Sequence, residues 1–200
     1  MPLSTLDALT ALVAVDLQSG ALSRPVAPHP VDTVIARTAE LAAAFRSFGL
    51  PVVLVRMTAA ADGADATPGR TDMSAVARQQ PAPPEGWDEI APGLAGHPAD
   101  LVVTKRTWGA FHGTDLDLQL RRRGVTQIVL TGIATSLGVE STARSAHEHG
   151  YHVTLAVDAM TDIRAASHEN SIERIFPLLG ETGSTGEILD LLRTSRPGAS

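Results

Sequence analysis

The chain has 200 residues, 44% of them hydrophobic, a mean hydropathy of +0.07 and a formal net charge of −6 at pH 7. That length and apolar content suit a single domain over residues 1–200 with a sizeable core, and the acidic balance argues against nucleic acid, whose phosphates call for a basic stripe. No cysteine is present, which excludes disulfides, thiolate metal sites and thiol catalysis together.

In chain order, Ala8 to Asp16 is an apolar run that stops at a carboxylate, the pattern of a central parallel strand buried on both faces. A loop with Ser19, Gly20, Pro25, Pro28 and Pro30 follows, then helical periodicity from Val31 to Phe48 that closes at Gly49. Pro51 to Arg56 reads as the second strand. Residues 58 to 99 are rich in Pro and Gly and loop-like, broken by a short helix near Met73 to Gln80; so long a loop inside a compact domain is usually functional. Asp100 to Lys105 is the third strand, Asp115 to Arg123 a helix, and Ile128 to Thr131 the fourth strand. Val153 to Val157 is the fifth, His168 to Leu179 a helix, and Gly186 to Arg193 a last helix preceded by a short edge strand. Apolar strands alternating with helices predict a three-layer αβα fold of Rossmann-like type, with a mostly parallel sheet of five or six strands. The ligand crevice of such sheets lies beyond the carboxyl ends of the strands. Asp16, Lys105 and the turn at Thr135 to Gly138 each follow a different strand end, so they are expected to converge there.

Lys105 is the only lysine against fifteen arginines. A compact ammonium does work that a planar guanidinium cannot, and its place at a strand end favours a site over a chance surface lysine. Asp16, ending an apolar strand, is pulled two ways: desolvation raises a carboxyl pKa and a nearby ammonium lowers it. Leu137 and Gly138 fall in the first turn of a helix, with Thr135 or Ser136 as its cap, so their amides are expected as unpaired donors for an oxyanion or carboxylate. Trp108 and Phe111 follow Lys105 and fit an apolar pocket wall, although one of them would serve equally well in the core. His147, His149 and His152 straddle a helix end without sharing a face. No metal and no cofactor are expected.

Three separated motifs carry a family resemblance: Val13-Ala-Val-Asp16-Leu-Gln18; Val103-Thr-Lys105-Arg-Thr-Trp108-Gly-Ala-Phe111; and Gly132-Ile-Ala-Thr135-Ser-Leu-Gly138-Val139. Their order and spacing resemble the isochorismatase-like hydrolases, also called cysteine hydrolases. The resemblance implies Asp16 as catalytic acid or base, Lys105 as its partner, and a cis peptide between Ile133 and Ala134. It implies a nucleophilic cysteine at position 138, where this chain has glycine. It also assigns Gln18, Arg56, Trp108, Phe111 and Thr135 to the substrate pocket, and a homo-oligomer, dimer or larger. Amide hydrolysis in that family proceeds through the thiolate, whereas vinyl-ether hydrolysis needs an acid and a water. Isochorismate-cleaving members carry glycine in place of the cysteine. They also have Tyr-Ala-His before the turn, where this chain reads Ile133-Ala134-Thr135, closer to the cysteine-dependent branch. The expected function is therefore cysteine-independent hydrolysis of a small anionic enol ether by Asp16 and Lys105, with no thiol-dependent amidase activity. The alternatives are another small substrate attacked by water that Asp16 activates, or an inactive relative that binds a ligand or protein partner. With no basic leader and no run near the ~18 apolar residues of a membrane span, a soluble, cytoplasmic protein is expected.

Overall fold

A computed structural model describes residues 3–22, 25–65, 69–72 and 83–196. The strands are β1 (Thr10–Val15), β2 (Val52–Met57), β3 (Leu101–Lys105), β4 (Gln127–Ile133), β5 (His152–Thr161) and β6 (Glu181–Gly183). They form one sheet in the order β3-β2-β1-β4-β5-β6, every pair parallel. The helices are α1 (Ser19–Leu22), α2 (Val31–Ser47), α3 (Leu116–Arg122), α4 (Glu140–Glu148), α5 (Ala165–Asn170), α6 (Phe176–Leu179) and α7 (Thr185–Ser195). The helix expected near 73–80 lies outside the described residues.

The uniform hydrophobicity of β1 has a direct cause. Successive side chains of a strand point to opposite faces, and here both faces are covered. Ala11, Val13 and Val15 pack with Leu116 and Leu120 of α3 and Ala143 and Ala146 of α4. Leu12 and Ala14 pack with Val34, Leu41 and Phe45 of α2 and Ile188 and Leu192 of α7. The result is the expected three-layer αβα arrangement.

Two segments run past their expected ends. β5 continues through Asp158 to Thr161, with a register shift against β4 between Leu130 and Gly132. Asp158 looked like a terminus because it is charged, yet inside the strand its carboxylate accepts from the Thr185 amide at 2.7 Å and the Thr185 hydroxyl at 2.9 Å. The helix expected from His168 begins at Ala165 and widens into a π turn at Ser171–Ile175 before α6. Among the described residues no helix is long and apolar enough to cross a membrane.

The strand order reverses direction between β1 and β4, the switch point at which open parallel sheets leave a crevice. At that point Val15 and Gly132 are register partners. Gly132 has φ +126°, and a Cβ there would lie 2.0 Å from the Val15 carbonyl oxygen, so only glycine lets the two strand ends approach this closely.

Candidate active site

Asp16 is the first residue beyond β1. Its amide still donates to the Val55 carbonyl of β2 at 2.9 Å, but its φ of 55° takes the chain out of the strand. Non-glycine residues rarely adopt that conformation, aspartate more readily than most. Lys105, at the end of β3 and 1% exposed, donates from Nζ to Asp16 Oδ2 at 2.7 Å and to the Thr107 carbonyl at 2.9 Å. Asp16 Oδ1 is buried and has no hydrogen-bond partner among the described residues. Burial pushes the Asp16 carboxyl up to about 6, and the Lys105 ammonium opposes the shift through its charge and hydrogen bond. Desolvation dominates because one cation on one oxygen cannot replace the hydration of both.

The turn after β4 covers this pair. Ile133-Ala134 is a cis peptide, and Thr135–Val139 forms a π turn into α4. A Cβ on Gly138 would sit 3.1 Å from Asp16 Oδ2 and 3.2 Å from Val15 Cγ1. Position 138 therefore lies directly against the carboxylate.

The free amide expected at Leu137 needs correction. The Leu137 N–H donates to the Ala134 carbonyl at 3.1 Å, and the Val139 N–H reaches the same oxygen at 3.2 Å. Neither Thr135 nor Ser136 caps the turn. The cap is a carboxylate from the far end of β5: Asp162, 2% exposed, accepts from the Ser136 amide at 2.7 Å and from the Ile163 amide at 2.7 Å. The anion that the positive end of this turn attracts thus belongs to the protein itself. Thr135 is turned inward, its hydroxyl donating to the Thr161 carbonyl at 3.0 Å and lying 2.8 Å from His168 Nδ1. Burial, and secondarily His29, holds His168 below the usual imidazole range against the pull of Asp162.

A pocket of ≈ 230 Å³ opens over Asp16, Lys105 and Gly138. Of the residues expected as pocket wall, Gln18 and Trp108 line it, together with Ile133 and Ala134 of the cis peptide and Leu137 of the turn. Arg56, Phe111 and Thr135 do not. Arg56 Nε donates to Thr104 Oγ1 at 3.1 Å along the edge of the sheet. Phe111 is 8% exposed and stacks on His149, so it took the core role. Gln18 does more than line the wall: its amide donates to the Met57 carbonyl at 2.9 Å and its oxygen accepts from the Met57 N–H at 2.7 Å, tying β1 to β2. It also reaches the Trp87 carbonyl at 3.3 Å. Trp87, Val26, Met57 and Ile163 were not anticipated as lining residues. Trp87 sits in the long loop, and its only signal was being one of two tryptophans. Among the described residues no three His, Asp or Glu side chains converge as a metal would require.

A Rossmann-like sheet with a carboxylate–ammonium pair at its switch point defines the class as an α/β protein with a candidate site at the strand ends. The chain belongs to the isochorismatase family, whose domain matches residues 10–187. It is 46% identical over 183 residues to the isochorismatase family protein YecD of Escherichia coli O157:H7, covering 92% of this chain and 96% of that one. An isochorismatase family protein from Burkholderia thailandensis superposes with a TM-score of 0.87 at 46% identity, over 94% of this chain and 98% of its own. The ureidoacrylate amidohydrolase RutB of Methylobacterium radiotolerans is 32% identical over 178 residues, covering 79% of this chain and 69% of RutB.

Proposed function

We propose that this isochorismatase-family chain is a hydrolase that works without a thiol, by acid–base chemistry of Asp16 and Lys105 on a small enol ether. One observation carries the reading. Asp16 is a half-buried carboxyl with Oδ2 held by Lys105, a buried Oδ1 without a partner among the described residues, and a pKa raised to about 6. A general acid is most useful when its pKa lies near the working pH.

The steps use what the pocket offers. Protonated Asp16 delivers its proton to the terminal alkene carbon, leaving an oxocarbenium ion, while Lys105 stabilises the carboxylate that forms. That carboxylate then takes a proton from the incoming water as its oxygen adds to the cationic carbon. The hemiketal collapses, its hydroxyl proton passing to the departing ether oxygen, to give a carbonyl compound and an alcohol. One water is consumed and Asp16 ends protonated. RutB is named for amide hydrolysis, which in a thiol mechanism needs a cysteine, and this chain has none.

The test is release of a carbonyl product from a panel of enol ethers, isochorismate included, by the purified protein and by Asp16→Asn. Turnover that falls at least ~10²-fold in the variant supports the proposal. Turnover that Asp16→Asn leaves intact overturns it, and so does ligand binding without turnover across the panel.

A further inference from the structure

The pocket wall carries information about the substrate as well as the reaction. Among the described residues that line it, Asp16 and Lys105 are the only charged side chains, and they are joined to each other at 2.7 Å. Gln18, the one other polar side chain there that can turn, has its amide and its oxygen engaged by Met57 and Trp87. Among the described residues, Arg106 pairs with Asp65 and Arg56 bonds Thr104. The remaining wall is apolar, from Val26, Met57, Ile133, Leu137 and Ile163. A carboxylate entering while Asp16 is ionised would meet an ion pair already neutral and no other cation among the described lining residues; when Asp16 is protonated, Lys105 is still 1% exposed and bonded to the Thr107 carbonyl.

The aromatic content points the same way. Both tryptophans of the chain, Trp87 and Trp108, line this one pocket. Trp108 is 62% exposed at its mouth, and Trp87 is fixed through its carbonyl, which accepts from the Gly20 amide at 2.7 Å. Flat apolar ligands are what such walls hold well. An apolar cavity of about 150 Å³ takes a benzene ring, so ≈ 230 Å³ accommodates a ring with one short substituent.

We infer that the substrate is an uncharged planar ring bearing a short ether substituent, rather than an anion, bound against the tryptophan-lined wall beside the closed Asp16–Lys105 pair. This replaces the anionic substrate expected from the sequence. The reaction on it rests on the acid–base reading above, but the binding does not. For a phenyl vinyl ether, water adds and the products are phenol and acetaldehyde.

Because both tryptophans lie at the pocket, their fluorescence reports its occupancy. The intact protein and Asp16→Asn are titrated at about pH 8, where Asp16 is ionised in the former, with two inert probes: anisole and its carboxylated counterpart phenoxyacetate. In the intact protein anisole is expected to bind at least tenfold more tightly, and Trp108→Leu to weaken it severalfold. Phenoxyacetate binding as well as anisole overturns the inference, as does a fluorescence that neither probe changes or an anisole affinity unmoved in both Trp87→Leu and Trp108→Leu. Turnover separates the two proposals. Anisole bound with no hydrolysis of phenyl vinyl ether or 2-phenoxyacrylate sinks the acid–base reading and leaves this one standing. Hydrolysis of 2-phenoxyacrylate, with phenoxyacetate the tighter probe, does the reverse.

Discussion

The two ends of β3 carry buried ion pairs that look alike in a contact map and differ in chemistry. Before the strand, Asp100 is held by Arg46, Nε to Oδ1 at 3.0 Å and Nη2 to Oδ2 at 2.5 Å. After it, Lys105 holds a single oxygen of Asp16. The guanidinium fork satisfies both oxygens and closes its carboxylate off. The point charge of lysine leaves Oδ1 without a partner among the described residues and the carboxyl pKa raised to about 6. An ion pair at a strand end is thus structural or chemical according to how completely the carboxylate is satisfied. Burial does not explain the difference, since the Asp100 side chain, at 3% exposed, is more buried than that of Asp16 at 18%.

The sharpest way to break this contrast is to disarm each pair in turn. Asp16→Asn is expected to lower turnover at least ~10²-fold. Asp100→Ala should leave turnover by the folded protein unchanged while costing about 3 kcal/mol in urea unfolding, because Arg46 loses its buried partner. Activity loss in Asp100→Ala at a concentration of urea where it is folded would erase the distinction.

The pH profile is next in size. The Asp16 pKa is raised, so the acid form persists to about 6; kcat/KM is expected to be flat below that point and to fall about tenfold per pH unit above it. The same shift bears on the fold with a definite sign. The native state keeps a proton that the unfolded chain has released, so this contribution to stability is present at low pH and is lost as pH rises through about 6. A rate that rises through pH 6 would assign Asp16 the role of base in the limiting step.

Smaller effects test the turn above the pair. Asp162→Ala removes the acceptor of the Ser136 and Ile163 amides, a loss comparable to a helix cap, about 1–2 kcal/mol by thermal or chemical unfolding. Asp162→Asn should recover part of it. Gly138→Ala places a methyl 3.1 Å from Asp16 Oδ2, which costs about 1 kcal/mol of strain and should move the midpoint of the pH profile upward by excluding more water from the carboxylate. A midpoint that stays put would mean that position 138 does not govern the solvation of Asp16.

Local pattern was enough for much of this molecule. A strand buried on both faces must be apolar throughout, so β1 and β4 were legible; β3 also read as an apolar run although it is an edge strand with Val102 57% exposed, and the layered fold and the ends where Asp16 and Lys105 sit followed. The lack of a thiol is a property of composition and needs no coordinates. Other features depend on register between distant segments, which residue spacing does not encode. The extension of β5 brings Asp162 beneath Ser136, 26 residues away, so that the protein's own carboxylate caps the turn. The long loop lays residues 87–91 antiparallel along 17–20, with Ser19 bonding Glu89, Gly20 bonding Trp87 and Ala91 bonding Leu17, and this supplies an unforeseen wall of the pocket. Phe111 and Trp108 were indistinguishable as nearby aromatics, and the placement of His149 and Tyr151 drew the first into the core and left the second at the pocket mouth. Residue type and periodicity report how much of a side chain is buried, whereas which groups meet is decided only when distant strand ends and loops are brought together.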